Sequence, residues 1–205
     1  MDNHTLITNN VSTSRKAIAL TFDDGPDPVY TPQIQHILAA HQAKATFFVI
    51  GERLEAYAAI AESLHLEEHE LGNHTFTHPN MTELDAAACR AEIRSTEDQI
   101  SAITGKCPTS FRAPYLAMDP QVHQVACEMG YKIIGASNTG TDDWAEPGVE
   151  HIIKYSLNGV ENGSILLLHD SGGDRSQTVE AVRVLVPELI SRGYELVTVS
   201  DLLQR

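Results

Sequence analysis

Strand-like and helix-like segments alternate along almost the whole chain, and this alternation restricts the possible folds more than any other feature. Short apolar runs predict strands at 17–22, 45–50, 70–72, 132–136, 164–168 and 195–199. Apolar residues at steps of three and four predict helices at 31–38, 82–103, 119–130, 147–157 and 177–190. Such alternation favours a parallel sheet with crossover helices, either an open doubly wound sheet or a closed (β/α) barrel.

Capping residues mark the expected ends of these helices. Thr31, which precedes Pro32, is typical of an N-cap, and Asp119 before Pro120 has the same form. Gly130 is typical of a residue that ends a helix.

The size and composition are those of one globular domain. The 205 residues are 42% hydrophobic and 20% charged, close to the average for soluble proteins. We expect a polar N-terminal arm over residues 1–15 and a single domain over 16–205.

The charge and cysteine content exclude several classes of protein. A formal net charge of −14 repels phosphate groups, so nucleic acid and anionic lipid are not expected partners. Cys89, Cys107 and Cys127 are irregularly spaced and odd in number, which predicts free thiols, with Cys89 on the core face of its helix.

No apolar run approaches the roughly 20 residues that a membrane span requires. The polar start of the chain also lacks the apolar segment of a signal peptide. Either the protein is cytoplasmic or a signal precedes the sequence and has been removed.

Four polar clusters each follow a strand-like run. They are Asp23-Asp24, the pair His74 and His78, Arg112, and His169. In α/β folds, sites assemble where parallel strands end, so we expect all four clusters to converge.

Two of these clusters together have the composition of a catalytic metal site. His74 and His78 lie four residues apart, and two imidazoles with one carboxylate leave an open position for water, as catalytic zinc sites do. The second aspartate is then free to act as a base. Taken singly, the histidines are also compatible with surface residues, and Asp-Asp-Gly-Pro with a solvated turn.

Other residues also have two interpretations. His169 is either a core histidine bonded to a neighbour such as Asp170 or part of the site. Arg112 is either a surface cation or a donor to a carboxylate in the site. Trp144, the only tryptophan, either covers the core edge or stacks on a sugar ring.

Five motifs together resemble those of the polysaccharide deacetylases, the NodB-homology domain of carbohydrate esterase family 4. They are, in the order of the chain, Thr21-Phe22-Asp23-Asp24-Gly25-Pro26, His74-Thr75-Phe76-Thr77-His78, Arg112-Ala113-Pro114-Tyr115, Asp143-Trp144 and Leu167-Leu168-His169. The resemblance covers nearly the whole chain and implies a single-domain deformed (β/α) barrel of the NodB type, which selects the barrel over the open sheet.

The resemblance also implies a role for each matching residue. Asp24, His74 and His78 would bind one divalent metal, with Zn²⁺ favoured and Co²⁺ or Ni²⁺ acceptable. Asp23 would be the general base, oriented by Arg112, and His169 the general acid, tuned by Asp143. Tyr115 would offer its backbone N–H to the oxyanion, and Trp144 with Leu167 would form the wall of the acetyl pocket.

The chain departs from the family pattern in two places. Ala113 stands where many members have a second proline, which removes a constraint on the turn that directs Arg112 and Tyr115. Residues 138–142 are less typical, so Asp142 is an alternative to Asp143.

The expected activity is removal of N-acetyl groups from N-acetylglucosamine units of chitin oligomers or peptidoglycan. The alternatives are an O-deacetylase such as an acetylxylan esterase and a catalytically silent carbohydrate-binding homologue. We expect a monomer with an open groove that is secreted or displayed at the cell surface, since its polymeric substrate lies outside the cell.

Overall fold

A single seven-stranded sheet, with every strand pair parallel, organises the computed structural model, which describes residues 7–204. The strands are β1 (Ala17–Asp23), β2 (Thr46–Val49), β3 (Glu70–Asn73), β4 (Ser110–Phe111), β5 (Lys132–Ile133), β6 (Ile165–His169) and β7 (Glu195–Val197). Their order is β5-β4-β3-β2-β1-β6, and β7 pairs with the first residues of β1.

Helices cover the sheet. They are α1 (Tyr30–Ala40), α2 (Gly51–Leu66), α3 (Ala86–Thr104), α4 (Pro120–Glu128), α5 (Val149–Leu157), α6 (Ser176–Ser191) and α7 (Val199–Leu202). Short 3-10 turns lie at Met81–Glu83, Pro114–Leu116 and Asp143–Ala145. Among residues 7–204, no helix is both long and apolar enough to cross a membrane.

The sheet curls into a half-barrel whose two edge strands are connected by the start of the described chain. Thr8 forms a bridge with Ile134, just after β5, and Asn10 forms one with Ser164, just before β6. The predicted deformed barrel is therefore confirmed. Residues 8–10 of the expected N-terminal arm contact the barrel, whereas residues 1–6 of that arm lie outside the described residues.

The central strand β1 is buried along its whole length, because neighbours flank it and helices cover it. Phe22 stacks on Phe47 of β2 at 5.1 Å between ring centroids. Each fully buried aromatic or aliphatic side chain of this kind stabilises the fold by roughly 1.5–3 kcal/mol. The core thus fixes the end of β1, where the first carboxylates lie.

Most predicted elements are confirmed, but some helix ends are corrected. The Thr31 N-cap prediction is wrong: α1 begins at Tyr30, and Asp27 Oδ1 accepts hydrogen bonds from the backbone N–H groups of Val29 and Tyr30. The Thr31 hydroxyl is instead buried and bonds the Asp170 carboxyl.

The third helix starts later than predicted, at Ala86, because Asp85 is its N-cap. The helix α2 was not predicted at all, and β5 is shorter than the predicted strand at 132–136. The Asp119 cap and the burial of Cys89 are confirmed, and all three cysteines are free.

Candidate active site

The predicted site residues converge on one cavity of about 410 Å³, a size suited to a sugar-sized ligand. All of them line it except Arg112 and Asp143, which lie buried behind it. The predicted residues that line the cavity come from the ends of β1, β3 and β6 and from nearby loops. They are Asp23, Asp24, His74, His78, Tyr115, Trp144, Leu167 and His169.

Asp24, His74 and His78 form the one group among residues 7–204 that has the spacing of a metal site. Each offers a ligand atom within 4.8 Å of the others. Asp24 Oδ1 lies 3.4 Å from His74 Nε2 and 3.2 Å from His78 Nε2, and it is buried without a hydrogen bond. A buried carboxylate oxygen without a donor fits a cation ligand.

Electrostatics in this group also favour an anionic Asp24. Burial acts to raise the pKa of Asp24, but the adjacent imidazoles of His74 and His78 outweigh it and hold that pKa well below its usual range. The carboxylate is thus available as a ligand at any physiological pH.

The backbone at and next to these three residues is unusual. Asp24 (φ 75°), Thr75 (φ 69°) and His78 (φ 59°) all adopt left-handed conformations without being glycine. Such residues cost of order 1–2 kcal/mol each, so they persist where surrounding contacts hold them. Their concentration here is typical of a functional site.

One contact orients the first histidine. His74 Nδ1 lies 2.7 Å from the backbone carbonyl of Arg112, so Nδ1 carries the proton that it donates to that oxygen. The Nε2 atom, which faces Asp24, is the ring nitrogen that remains to bind a metal.

Arg112 holds Asp23 in place. The guanidinium is fully buried and donates to Asp23 Oδ1 at 2.7 Å, to Thr21 Oγ1 at 2.8 Å and to the Gly135 carbonyl at 2.7 Å. Its Cζ also lies 4.2 Å from the centroid of the Phe48 ring. Asp23 Oδ2, the oxygen that Arg112 does not bind, lies 3.7 Å from His74 Nε2.

Ala113 does not disturb this arrangement, because its φ of −73° is one that proline also adopts.

Asp143 holds His169 in the same manner. Its Oδ1 lies 2.7 Å from His169 Nδ1, and its Oδ2 accepts from the His169 backbone N–H and from Thr178 Oγ1, each at 2.8 Å. Burial lowers the pKa of His169, but the hydrogen bond and charge of Asp143, with the charges of Asp23 and Asp24, raise it to about 9. Asp142, the alternative partner, is exposed.

The rim of the cavity is aromatic. Tyr115 is 70% exposed with a left-handed backbone (φ 59°), and its ring packs edge-on against His78. Trp144 is 60% exposed, so it does not cover the core. The half-buried Leu167 lines the cavity with them.

Sequence reasoning missed several residues of this site. Leu116, Thr139, Gly172 and Arg175 also line the cavity. The buried Arg175 donates to the carbonyls of Ser171, Gly172 and Trp144, which joins the loop after β6 to the tryptophan. In the sequence, the pair Gly172-Gly173 is typical of a turn and is the local pattern that marks this loop.

Comparisons with known proteins agree on one family. The polysaccharide deacetylase family profile matches residues 10–134. A peptidoglycan-N-acetylglucosamine deacetylase of Bacillus cereus is 39% identical, over 97% of this chain and 93% of that protein. A chitooligosaccharide deacetylase of Azorhizobium caulinodans is 36% identical, over 91% and 94% of the two chains.

A solved structure agrees as well. The crystal structure of a peptidoglycan N-acetylglucosamine deacetylase in complex with a substituted benzamide matches with a TM-score of 0.91 at 32% identity. The match covers 96% of this chain and 92% of that chain.

Proposed function

Because this chain belongs to the polysaccharide deacetylase family, we propose that it hydrolyses the N-acetyl groups of N-acetylglucosamine units in chitin oligosaccharides or peptidoglycan and releases acetate. The observation that carries the proposal is the cavity itself. Three residues with the spacing of a metal site, a carboxylate fixed by a buried arginine and a histidine with a raised pKa all face the same space.

Asp24, His74 and His78 would hold one divalent cation, and two imidazoles with a carboxylate suit Zn²⁺ best, with Co²⁺ or Ni²⁺ as alternatives. Such an ion polarises an acyl carbonyl and makes water more acidic. The buried Asp24 Oδ1 without a hydrogen bond is the structural observation that supports this assignment.

Asp23 is the general base. Arg112 binds Oδ1 and keeps the carboxylate in a single orientation, so Oδ2 remains to accept a proton from the attacking water. The buried guanidinium also prevents Asp23 from turning away, since its other donors are committed to Thr21 and a backbone carbonyl.

His169 is the general acid. Asp143 occupies Nδ1, so Nε2 is the ring nitrogen that can face the substrate. With a pKa of about 9 the imidazole is protonated near neutrality and can donate to the departing amine, which is otherwise a poor leaving group. An ester depends on this donor less, because an alkoxide leaves more readily than an amide anion.

The remaining residues position the acetyl group. The backbone N–H of Tyr115 would donate to the oxyanion, and Trp144 with Leu167 would enclose the methyl group. The relatives named above act on peptidoglycan N-acetylglucosamine and on chitooligosaccharide, which supports this substrate class for the present chain. A polymer of this kind lies outside the cell, so we place the enzyme, as a monomer, in the secreted or surface-attached fraction.

Asp23→Asn tests the base assignment. The variant keeps an oxygen that can accept from Arg112 but cannot take a proton, so kcat should fall by on the order of 10² to 10⁴ while Zn²⁺ stoichiometry is unchanged. Acetate release from N-acetylglucosamine oligomers and metal analysis of the same sample measure both. Near-normal turnover would remove Asp23 from the base role.

The substrate class is tested by comparing acetate release from those oligomers with release from acetylated xylan. We expect the wild type to favour the amide, and His169→Ala to reduce amide hydrolysis more than ester hydrolysis. Equal losses on both would contradict the general-acid role. Release from acetylated xylan alone would identify an O-deacetylase, and sugar binding without any release would identify a silent homologue.

A further inference from the structure

The loop that carries the two metal-ligand histidines is held from outside by two different helices. Its carbonyl oxygens face the first turn of α2, where the backbone N–H of Gly51 donates to Thr75 O and that of Glu52 donates to Phe76 O, each at 3.0 Å. The N-terminus of α2 therefore fixes one side of the loop.

A single side chain fixes the other side. Oε2 of Glu92, on α3, accepts from the backbone N–H of Phe76 at 2.9 Å and from that of Thr77 at 2.8 Å. Oε1 accepts from the Thr77 hydroxyl at 2.9 Å. Glu92 is half-buried, so these charge-assisted bonds are less exposed to water than those of a surface carboxylate.

The loop needs such support because its own conformation is strained. Thr75 and His78 both have left-handed backbone conformations. The hydrogen bond from the His78 N–H to Thr75 Oγ1 at 3.1 Å joins two residues of the loop itself, so it does not attach the loop to the rest of the fold. If the backbone of Phe76 and Thr77 were released, the loop could relax, and the two imidazoles would no longer face the same point.

We propose that Glu92 is a positioning residue for the metal site: its carboxylate fixes the backbone between His74 and His78, so that both imidazoles are presented together to one cation. The inference rests on the proposed function, since it requires the metal site. It assigns Glu92 no contact with substrate. Groups that orient metal ligands from behind typically change metal affinity by about 10- to 100-fold when removed.

The test measures Zn²⁺ affinity by competition with a chromophoric chelator for Glu92→Ala, Glu92→Gln and a matched control, Asp98→Ala. Asp98 is an exposed carboxylate on the same helix. We expect Glu92→Ala to weaken Zn²⁺ binding by about 10- to 100-fold and Glu92→Gln to weaken it less, because the amide oxygen still accepts. Asp98→Ala should stay within about twofold, since it removes only a distant charge.

A merely structural role is distinguished by melting the metal-free proteins and by measuring kcat at saturating Zn²⁺. We predict that Zn²⁺ binding to the Glu92 variants weakens by more than their loss of metal-free stability accounts for. We also predict that their kcat returns to the wild-type value when Zn²⁺ is saturating. If Glu92→Ala does not fold, Glu92→Gln carries the test.

Unchanged Zn²⁺ affinity in the Glu92 variants, or an equal loss in Asp98→Ala, would overturn the inference while leaving the proposed function intact. A wild-type protein that binds no Zn²⁺ would instead overturn the proposed function, and the inference with it.

Discussion

The Asp23 carboxylate and the His169 imidazole face the same cavity, and each is held by a buried partner. Arg112 binds Asp23, and Asp143 binds His169, both at 2.7 Å. Under the proposed function, these two fixed side chains are the base and the acid that general acid–base hydrolysis requires.

The pH dependence tests the second pair. His169 has a pKa of about 9, so it is fully protonated well below that pH and loses its proton as pH rises through it. In Asp143→Asn the stabilising charge is lost, the pKa of His169 falls, and the alkaline limb of kcat/KM should move to lower pH. Asp142→Asn, at the exposed neighbour, should leave the limb in place.

The measurement is kcat/KM for an N-acetylglucosamine oligomer between about pH 5 and pH 10. An alkaline limb that does not move in Asp143→Asn would contradict the pairing.

At the residue scale, the convergence of Asp23, Asp24, His74 and His169 could be predicted because each lies at, or directly after, the end of a strand. Their supporting residues could not be predicted in this way. Thr178 on α6 and Glu92 on α3 reach the site across long stretches of sequence, and no local pattern records such contacts. The choice of Asp143 over Asp142 likewise depended on which side chain the turn buries.

At the element scale, the missed helix α2 shows where local signals fail. Its N-cap, Ile50, offers no side-chain acceptor, and the first N–H groups instead meet the carbonyls of Thr75 and Phe76. The cap is therefore supplied by a loop that is distant in sequence. A helix capped in this way lacks the Ser, Thr or Asp that predicts a helix start.

Gly51→Ala tests this contact. A Cβ at Gly51 would lie 2.2 Å from Phe76 Cδ2, so the ring or the start of α2 must move. We expect a loss of about 1–3 kcal/mol of unfolding free energy and weaker Zn²⁺ binding. Gly105→Ala is the control. An alanine at its φ of 72° costs about 1–2 kcal/mol of unfolding free energy, but the added Cβ has no neighbour within 4 Å.

Denaturant unfolding and chelator competition on both variants make the measurement. Zn²⁺ binding that weakens equally in both would show that general stability, rather than the α2 contact, controls the site.

For the molecule as a whole, the alternation of strand-like and helix-like segments predicted parallel strands. It did not decide between an open sheet and a barrel. The contacts that close the curl are single bridges made by Thr8 and Asn10, in a segment with no periodicity. Strands β4 and β5 have two residues each and are too short to give a pattern of their own. The barrel was therefore predicted by resemblance to a family rather than by the residues alone.

Gly163→Ala tests this closure. Gly163 has a φ of 84°, its carbonyl accepts from the Val11 N–H at 2.9 Å, and a Cβ there would lie 1.8 Å from Val11 O. The strain and the clash together should cost more than about 2 kcal/mol and speed amide exchange in residues 8–11. Gly159→Ala, with a similar φ of 71° in open space, should show the strain alone. Equal losses in both variants would refute the closing role.

The central claim is that one metal ion, held by Asp24, His74 and His78, is required for removal of the acetyl group. Its most direct test is a titration of chelator-stripped protein with Zn²⁺, in which bound metal and acetate release from N-acetylglucosamine oligomers are measured in the same samples. We predict that release rises in proportion to bound Zn²⁺, reaches its plateau at one ion per chain, and is absent in His78→Ala. Full acetate release from metal-free protein, or none at one bound ion, would contradict the claim.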